Sequence, residues 1–269
     1  MTDRNYLMES EEEALRLDLK TDSTVVKRHA RWAGIKPGMR VLDLGCGSGK
    51  TSYHLNNLVR PNGETLGLDF AQQRINYAKA NYSDQNLTFL CKDIREPLDQ
   101  IGMFDFIWVR FVLEYYLESS FDIIKHIYSI LKPGGIICLI DLDYNCLSHF
   151  RMPPRLETAM HEILQSLEKK ADFDPYIGRK LYSFLYDLQC QNIDVHLEAH
   201  HLIFGELKET DAFNWMKKVE IAGLNSDYQF EDYQDGYPEF FEEFKIFFSD
   251  PRRFTYTPVI CCKGRKPQN

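Results

Sequence analysis

Short apolar runs alternate with longer, helix-compatible segments through the first half of the chain. Each run has the length and apolar density of a buried strand. Strands and helices that alternate in this order form a parallel sheet covered by helices on both faces. The pattern therefore predicts a doubly wound α/β fold with strands at Arg40–Leu44, Thr65–Leu68, Leu87–Cys91, Phe104–Val109 and Ile136–Leu142.

The regular alternation ends after residue 143. Residues 145–177 and 206–253 are predicted insertions, while residues 193–201 and 255–263 return as strands. At 269 residues the chain suits one domain, residues 1–269, better than two independent ones, with residues 1–34 as an N-terminal helical cap. The second insertion carries a phenylalanine stripe at helical spacing, which is either core or the lining of a pocket: Phe240, Phe241, Phe244, Phe247 and Phe248.

Three glycines, Gly45, Gly47 and Gly49, occupy alternate positions directly after the first predicted strand. Because glycine has no Cβ atom, such a turn takes backbone conformations closed to other residues and lets a ligand approach closely. The helix predicted to follow offers unpaired N–H groups to an anion. This stretch therefore predicts a binding site for a ligand that carries a phosphate or a carboxylate.

Acidic residues follow the next two predicted strands. Asp69 and Asp93 stand at the carboxyl ends of these strands, the edge at which open α/β sheets bind ligands. Asp69 lies 20 residues after Gly49, a spacing that suits a carboxylate accepting hydrogen bonds from ribose hydroxyl groups, and Phe70 could stack on a base. The alternative is structural, since Asp43 and Asp69 could instead cap helices.

Other kinds of ligand site fit the residues less well. A phosphate-binding loop needs a glycine where Leu44 stands, and a nicotinamide-binding turn needs a glycine where Lys50 stands. A metal site at His200–His201 or Cys261–Cys262 is disfavoured because adjacent residues of a strand face opposite ways. We therefore predict no bound metal ion.

Five motifs occur in the order and with the spacing of a known family. They are VLDLGCGSG, GLDF, CKDI, FDFIWVRFVLEYY and LKPGGIICLIDLD, and the likeness covers about residues 25–143. Together they resemble the motifs of class I S-adenosylmethionine-dependent methyltransferases. More loosely, Tyr6-Leu7-Met8 and DPYIGRKL at residues 174–181 are similar to the ubiquinone and menaquinone biosynthesis group of small-molecule methyltransferases.

The resemblance implies a Rossmann-like, seven-stranded sheet whose last strand is antiparallel, with the helical insertions forming a cap on the acceptor side. It also implies S-adenosylmethionine as cofactor, with Gly45 and Gly47 beside its methionine part and Asp69 on its ribose. Asp93 would bind the adenine amino group, and the backbone of Ile94 would contact the adenine ring. The backbone of Arg110 would lie near the sulfonium. The predicted cofactor-binding residues are Tyr6, Asp43, Gly45, Cys46, Gly47, Asp69, Phe70, Asp93, Ile94 and Arg110.

Composition narrows the choice of partner and compartment. A net charge of −8 and a sequence pI near 5.5 disfavour nucleic acid and anionic membranes. Seven cysteines, an odd number, lie partly in apolar strand-like runs, as reduced buried thiols do. No apolar run approaches the ~20 residues that span a bilayer, and the N-terminus is acidic. We expect a cytoplasmic protein that acts on a small molecule; the sequence defines no oligomeric state.

The predicted function is methyl transfer to a small, apolar or aromatic molecule, at carbon or oxygen, by in-line displacement. The Asn/Asp-Pro-Pro-aromatic tetrapeptide that marks many amino-group methyltransferases is absent after the fourth strand, where Arg110–Leu113 stands. No catalytic residue is identified. Two alternatives remain: a non-catalytic S-adenosylmethionine-binding sensor or partner-binding protein, and, with weaker support, an NAD-dependent oxidoreductase.

Overall fold

The computed structural model describes residues 13–268. The predicted cofactor-binding residue Tyr6 lies outside the described residues. Within them, one mixed sheet carries helices on both faces, and a group of further helices packs at one end. None of the helices in this range combines the length and the apolar character that crossing a membrane requires.

All seven predicted strands form; β1 and β3 have the predicted bounds, and the bounds of the other five differ by one to five residues at an end. An eighth, two-residue strand was not predicted, because two residues are too few to show a period. The strands are β1 Arg40–Leu44, β2 Glu64–Asp69, β3 Leu87–Cys91, β4 Phe104–Arg110, β5 Leu131–Leu142, β6 His149–Phe150, β7 Gln191–Phe204 and β8 Phe254–Arg265.

The strand order is β3-β2-β1-β4-β5-β8-β6, and β7 also pairs with β8. Strands β1 to β5 pair in parallel, and β8 runs antiparallel to both β5 and β7. The predicted antiparallel last strand is therefore confirmed. The predicted count of seven strands is wrong by one, because β6 adds to the end of β8.

Residues along each central strand face the two sides of the sheet in turn. Leu42 on β1 and Ile107 on β4 belong to one apolar cluster, whereas Val41 and Trp108, next to them in sequence, belong to the cluster on the opposite face. Both clusters are buried, as a sheet covered on two faces requires. The helices that cover the sheet are α2 Ser23–Ala33, α3 Lys50–Val59, α4 Gln72–Asn81, α5 Ser120–Ser129 and α7 Leu181–Asp187.

The insertions form a helical cap with a core of its own. Its helices are α6 Pro154–Ala171, α8 Glu209–Asn225 and α9 Tyr237–Ser249, which share one cluster of buried side chains. The phenylalanine stripe lies on α9, where Phe240, Phe244 and Phe248 have no exposed surface. A separate N-terminal helix, α1 Glu13–Lys20, packs near α4.

Candidate functional site

The glycine turn between β1 and α3 forms one wall of a cleft at the carboxyl edge of the sheet, here called the glycine cleft. Gly45 and Gly47 have φ angles of +69° and +53°, in the left-handed region that other residues rarely adopt. A Cβ atom on Gly45 would stand 2.3 Å from Cγ2 of Val112, and one on Gly47 would stand 2.8 Å from Cδ1 of Leu17. The turn thus presents bare backbone where a larger residue would meet the opposite wall.

Asp69, at the end of β2, connects several parts of this wall. Its Oδ2 accepts a hydrogen bond from the N–H of Gly47 at 2.9 Å, and its Oδ1 accepts one from Ala71 at 3.0 Å. Arg74 forms an ion pair with Oδ1 at 2.9 Å, and the Asp69 side chain is buried. Within residues 13–268, Oδ2 accepts the Gly47 bond alone, so it keeps one acceptor position for a ligand hydroxyl.

Asp43 lies on β1 directly before the glycine turn and is buried. Its Oδ2 accepts a hydrogen bond of 2.6 Å from the hydroxyl of Ser52 on α3. Burial raises the pKa of Asp43 to about 7, although the Ser52 bond and the positive charge of Arg110 oppose this shift. Because this carboxyl group titrates near neutral pH, a cationic ligand in the cleft would favour its charged form.

Helix α1 closes one side of the glycine cleft. Leu17 and Lys20 of α1, and Thr21 directly after it, line the cleft. The ammonium group of Lys50 donates a hydrogen bond of 2.8 Å to the carbonyl oxygen of Asp18, and the hydroxyl of Tyr82 bonds to the Asp18 carboxylate. These contacts fasten α1 to α3 and to the end of α4.

Arg110, the last residue of β4, places its guanidinium group at the cleft. Its Nε is buried without a hydrogen-bond partner, and the guanidinium lies 4.1 Å from the ring centroid of Phe111. Burial lowers the pKa of Arg110 to about 10. Arg110 has no ion pair within residues 13–268, and a buried cation in this state favours an anionic group of a ligand.

Most of the predicted cofactor-binding residues converge on this cleft. Those that line it are Asp43, Gly45, Cys46, Gly47, Asp69, Phe70, Ile94 and Arg110. Asp93 is not among the lining residues: its carboxylate accepts hydrogen bonds from the backbone and side chain of Arg95. Although burial acts to raise it, these bonds hold the pKa of Asp93 below its ordinary value. The binding role of Asp93 stays a prediction.

A second cavity, here called the cap chamber, lies between α1, the turn after β4, and the cap. It shares Lys20, Glu114 and Tyr115 with the glycine cleft, so the two cavities adjoin. Side chains from α6, β7 and α8 complete its wall. The apolar part of that wall consists of Leu142, Leu164, Leu167, Phe173, Trp215 and Ala222.

A β-bulge brings two histidines of β7 into the cap chamber. The pairing of β7 with β8 shifts between Ala199 and His201, which leaves His200 as the extra residue. The two imidazole centroids are 4.3 Å apart, and both rings line the chamber. The expectation that adjacent strand residues face opposite ways is wrong at this position, because a bulge interrupts the alternation.

A hydrogen-bonded chain links the turn after β4 to the cap. Asn145 donates from Nδ2 to Oε2 of buried Glu114 at 2.7 Å and accepts at Oδ1 from the ammonium of Lys218 at 2.8 Å. Behind it lies Asp141, whose pKa is raised well above the ordinary value by burial and by the negative charge of Glu114. Glu114, which accepts the hydrogen bond from Asn145, thus lies at the junction of the two cavities.

A group of possible metal ligands occurs elsewhere, at His29, His196 and Glu198, whose ligand atoms lie within 4.8 Å of one another. Nε2 of His29 bonds to Glu198 at 2.7 Å, and the guanidinium of Arg28 forms an ion pair with the same carboxylate. These contacts join α2 to β7. The absence of a metal stays a prediction.

Sequence analysis did not consider Lys20, Glu114 and Lys218, and it considered His200 and His201 only as disfavoured metal ligands, although all five line the cavities. Lys20 and Lys218 lie on amphipathic helices, where a lysine is ordinary. Glu114 alone carried a signal, because it interrupts the apolar run that follows β4. Among the aromatic residues of the two predicted insertions, Phe173 and Trp215 line the chamber.

A family model described as a methyltransferase domain matches residues 35–218. The demethylmenaquinone methyltransferase of Lactococcus lactis subsp. lactis (strain IL1403) is 28% identical over 135 residues, which cover 46% of this chain and 53% of the relative. Relatives of the same name from Staphylococcus aureus strains are 26% identical over 126 residues. The chain thus spans about half the length of the curated relatives it matches.

Solved structures share the fold over most of the chain. A Bacillus halodurans C-125 protein classed as a methyltransferase has a TM-score of 0.59 at 16% identity, and the match covers 91% of this chain and 99% of that one. The [4+2]-cyclase SpnF has a TM-score of 0.53 at 15% identity, covering 92% of this chain and 82% of that one. At these identities the likeness shows the fold alone.

Proposed function

The chain belongs to the methyltransferase-domain family, whose cofactor is S-adenosylmethionine, and we propose that it transfers the methyl group of that cofactor to a small, apolar or aromatic acceptor. The cofactor would occupy the glycine cleft and the acceptor the cap chamber. The observation that carries this proposal is the pair of adjoining cavities that share Lys20, Glu114 and Tyr115.

The residues of the glycine cleft fit the chemical groups of the cofactor. The cleft contains about 920 Å³ of space, open mouth included. The unpartnered guanidinium of Arg110 suits the carboxylate of the methionine part, and Asp43 suits one of its cationic groups. Oδ2 of Asp69 is available to a ribose hydroxyl, and Phe70, 42% exposed, offers a ring face near an adenine.

When bound, the cofactor supplies an electrophilic methyl group on a positively charged sulfur atom. The protein must hold the acceptor atom about 3 Å from that methyl carbon and exclude water. Helix α1 would restrict solvent at the glycine cleft, because its contacts with Lys50 and Tyr82 fix it there. The apolar wall that contains Phe173 and Trp215 would orient an aromatic acceptor.

We treat residues 1–269 as one methyltransferase unit, with residues 1–34 and the insertions 145–177 and 206–253 covering the acceptor side. The shared cavity wall supports this division, since α1, α6 and α8 all contribute to it. Cap helix α9 supports the wall from behind, because none of its phenylalanines lines either cavity.

Calorimetry with the demethylated product, S-adenosylhomocysteine, tests the cofactor part of the proposal. We expect it to bind while ATP and NAD do not; binding of NAD alone would restore the oxidoreductase alternative. A methyl-acceptor screen weighted to quinol-like, phenolic and polyketide-like compounds then tests the acceptor part. Cofactor binding without turnover on any acceptor would favour the non-catalytic sensor instead.

A further inference from the structure

The cap chamber carries more positive than negative charge. Its charged lining residues are Arg16, Lys20, Lys218 and Glu114. Arg16 is matched by Glu13, which accepts from its guanidinium at 2.6 Å, whereas Lys218 bonds to the neutral amide oxygen of Asn145. Lys20 and Lys218 therefore face one carboxylate, that of Glu114, and the chamber favours an anionic ligand.

Lys20 differs from the other cations of the chamber because it has no hydrogen bond or ion pair within residues 13–268. The ring centroid of Phe111 lies 5.5 Å from its Nζ. Burial, followed by the positive charges of Arg16 and Lys218, lowers the pKa of Lys20 to about 7, against the opposing charges of Glu114 and Glu13. Part of the Lys20 population is thus a neutral amine at neutral pH.

Building on the proposed function, we propose that the acceptor is a weakly acidic hydroxyl compound, a phenol or an enol, bound in the cap chamber as its anion with Lys20 as proton acceptor. The acceptor's O–H bond breaks and an N–H bond forms at Nζ, so the amine becomes an ammonium ion beside the oxygen anion. The anion is a better nucleophile than the neutral compound, both at oxygen and at the carbon next to the oxygen-bearing carbon. Either atom could therefore accept the methyl group.

The other titratable groups around Lys20 are fixed in one protonation state or lie in partnered positions. Burial lowers the pKa of His201 to about 2 and that of His200 well below its usual range, so both imidazoles stay neutral. Nδ1 of His201 is buried without a partner and can share a hydrogen bond with the acceptor. The remaining titratable groups that line the chamber are Arg16 of α1 (paired with Glu13), Glu114 and Tyr115 of the turn after β4, Cys146, and Lys218 of α8.

The test uses 4-nitrophenol, whose anion absorbs visible light, added to the full chain with its glycine cleft saturated by S-adenosylhomocysteine. We expect the bound probe to ionise about one pH unit or more below the free probe, because an ammonium ion stabilises its anion. Lys20→Met should abolish this shift. Lys20→Arg keeps the charge but cannot accept a proton, so it should retain the shift while releasing the probe's proton to the buffer, which the unmodified chain does not. Lys217→Met is the matched control, because Lys217 pairs with Glu220 and lines neither cavity.

Several results would overturn the inference: a probe that binds as neutral phenol, a shift that survives Lys20→Met, or a shift that Lys20→Arg also loses. It is likewise overturned if Lys20→Met weakens S-adenosylhomocysteine binding tenfold and leaves the probe unchanged, since Lys20 would then hold the cofactor's carboxylate. Failure of the unmodified chain to bind S-adenosylhomocysteine counts against the proposed function, so the two failures are distinguishable.

Discussion

The glycine cleft and the cap chamber adjoin, yet they are built in different ways. The cleft consists mainly of backbone turns at the ends of consecutive parallel strands, with Asp69 bonded to the N–H of Gly47. The chamber consists of side chains from distant parts of the chain, such as Lys20, His201 and Lys218. A set of local sequence motifs can specify the cleft, whereas the residues of the chamber can change one at a time. This difference would allow the cleft to be kept in a family while the chamber varies.

The prediction with the largest expected effect tests whether the phenylalanines of α9 fill the core of the cap or line the acceptor site. Phe244→Ala should lower the free energy of unfolding by about 3–5 kcal/mol, because this fully buried ring fills the cap core. The affinity of the folded variant for S-adenosylhomocysteine should not change. Ile246→Ala on the same helix, 68% exposed, is the control and should stay within about 0.5 kcal/mol in chemical denaturation. A Phe244→Ala variant that loses turnover but not stability would place this ring in the acceptor site.

Asp69→Ala should weaken S-adenosylhomocysteine binding by about 1.5–3 kcal/mol, the range for hydrogen bonds to a charged group. The loss has two sources, because Asp69 is placed to bind the ribose and also holds the N–H of Gly47. Calorimetry on the folded variant measures it. An unchanged affinity would restrict Asp69 to its contacts with Ala71 and Arg74.

Cofactor affinity should rise about tenfold between pH 6 and pH 8, because the Asp43 carboxyl, whose pKa is raised to about 7 by burial, becomes charged in this window and attracts a cationic group. Asp43→Asn should flatten this profile. The same shift has the opposite effect on stability: the free energy of unfolding falls as pH rises from about 4 to about 7, since the folded chain keeps a proton that the unfolded chain loses. A profile that Asp43→Asn leaves unchanged would assign the dependence to another group.

The smallest expected effect is that of Asp93→Ala on cofactor affinity, below about 1 kcal/mol. The Asp93 carboxylate is already bonded to Arg95 and does not line the cleft, and such partly exposed pairs contribute little. Calorimetry beside Asp69→Ala gives the comparison. A loss as large as that of Asp69→Ala would show that Asp93 turns to the adenine amino group on binding, as the family resemblance implies.

The sequence alone determined the cofactor half of this protein. Strand periods, the glycine spacing and the carboxylates at the carboxyl ends of β2 and β3 are local properties, and local patterns set backbone conformation where strands and helices alternate regularly. Eight predicted cofactor-binding residues line one cleft, including Asp43 and Ile94, and their prediction needed the family resemblance as well as these patterns. Local patterns could not show the two-residue strand β6, which exists only because His149 and Phe150 meet the end of β8.

The tertiary structure decided the cap chamber. Lys20 and Lys218 are separated by most of the chain and share a cavity only because the fold brings α1 and α8 to the same chamber. Burial lowers the pKa of Lys20, and no local pattern reports that burial. The bulge at His200 shows the limit most plainly: a single extra residue in β7 reversed the expected direction of a side chain and brought two imidazoles into one chamber.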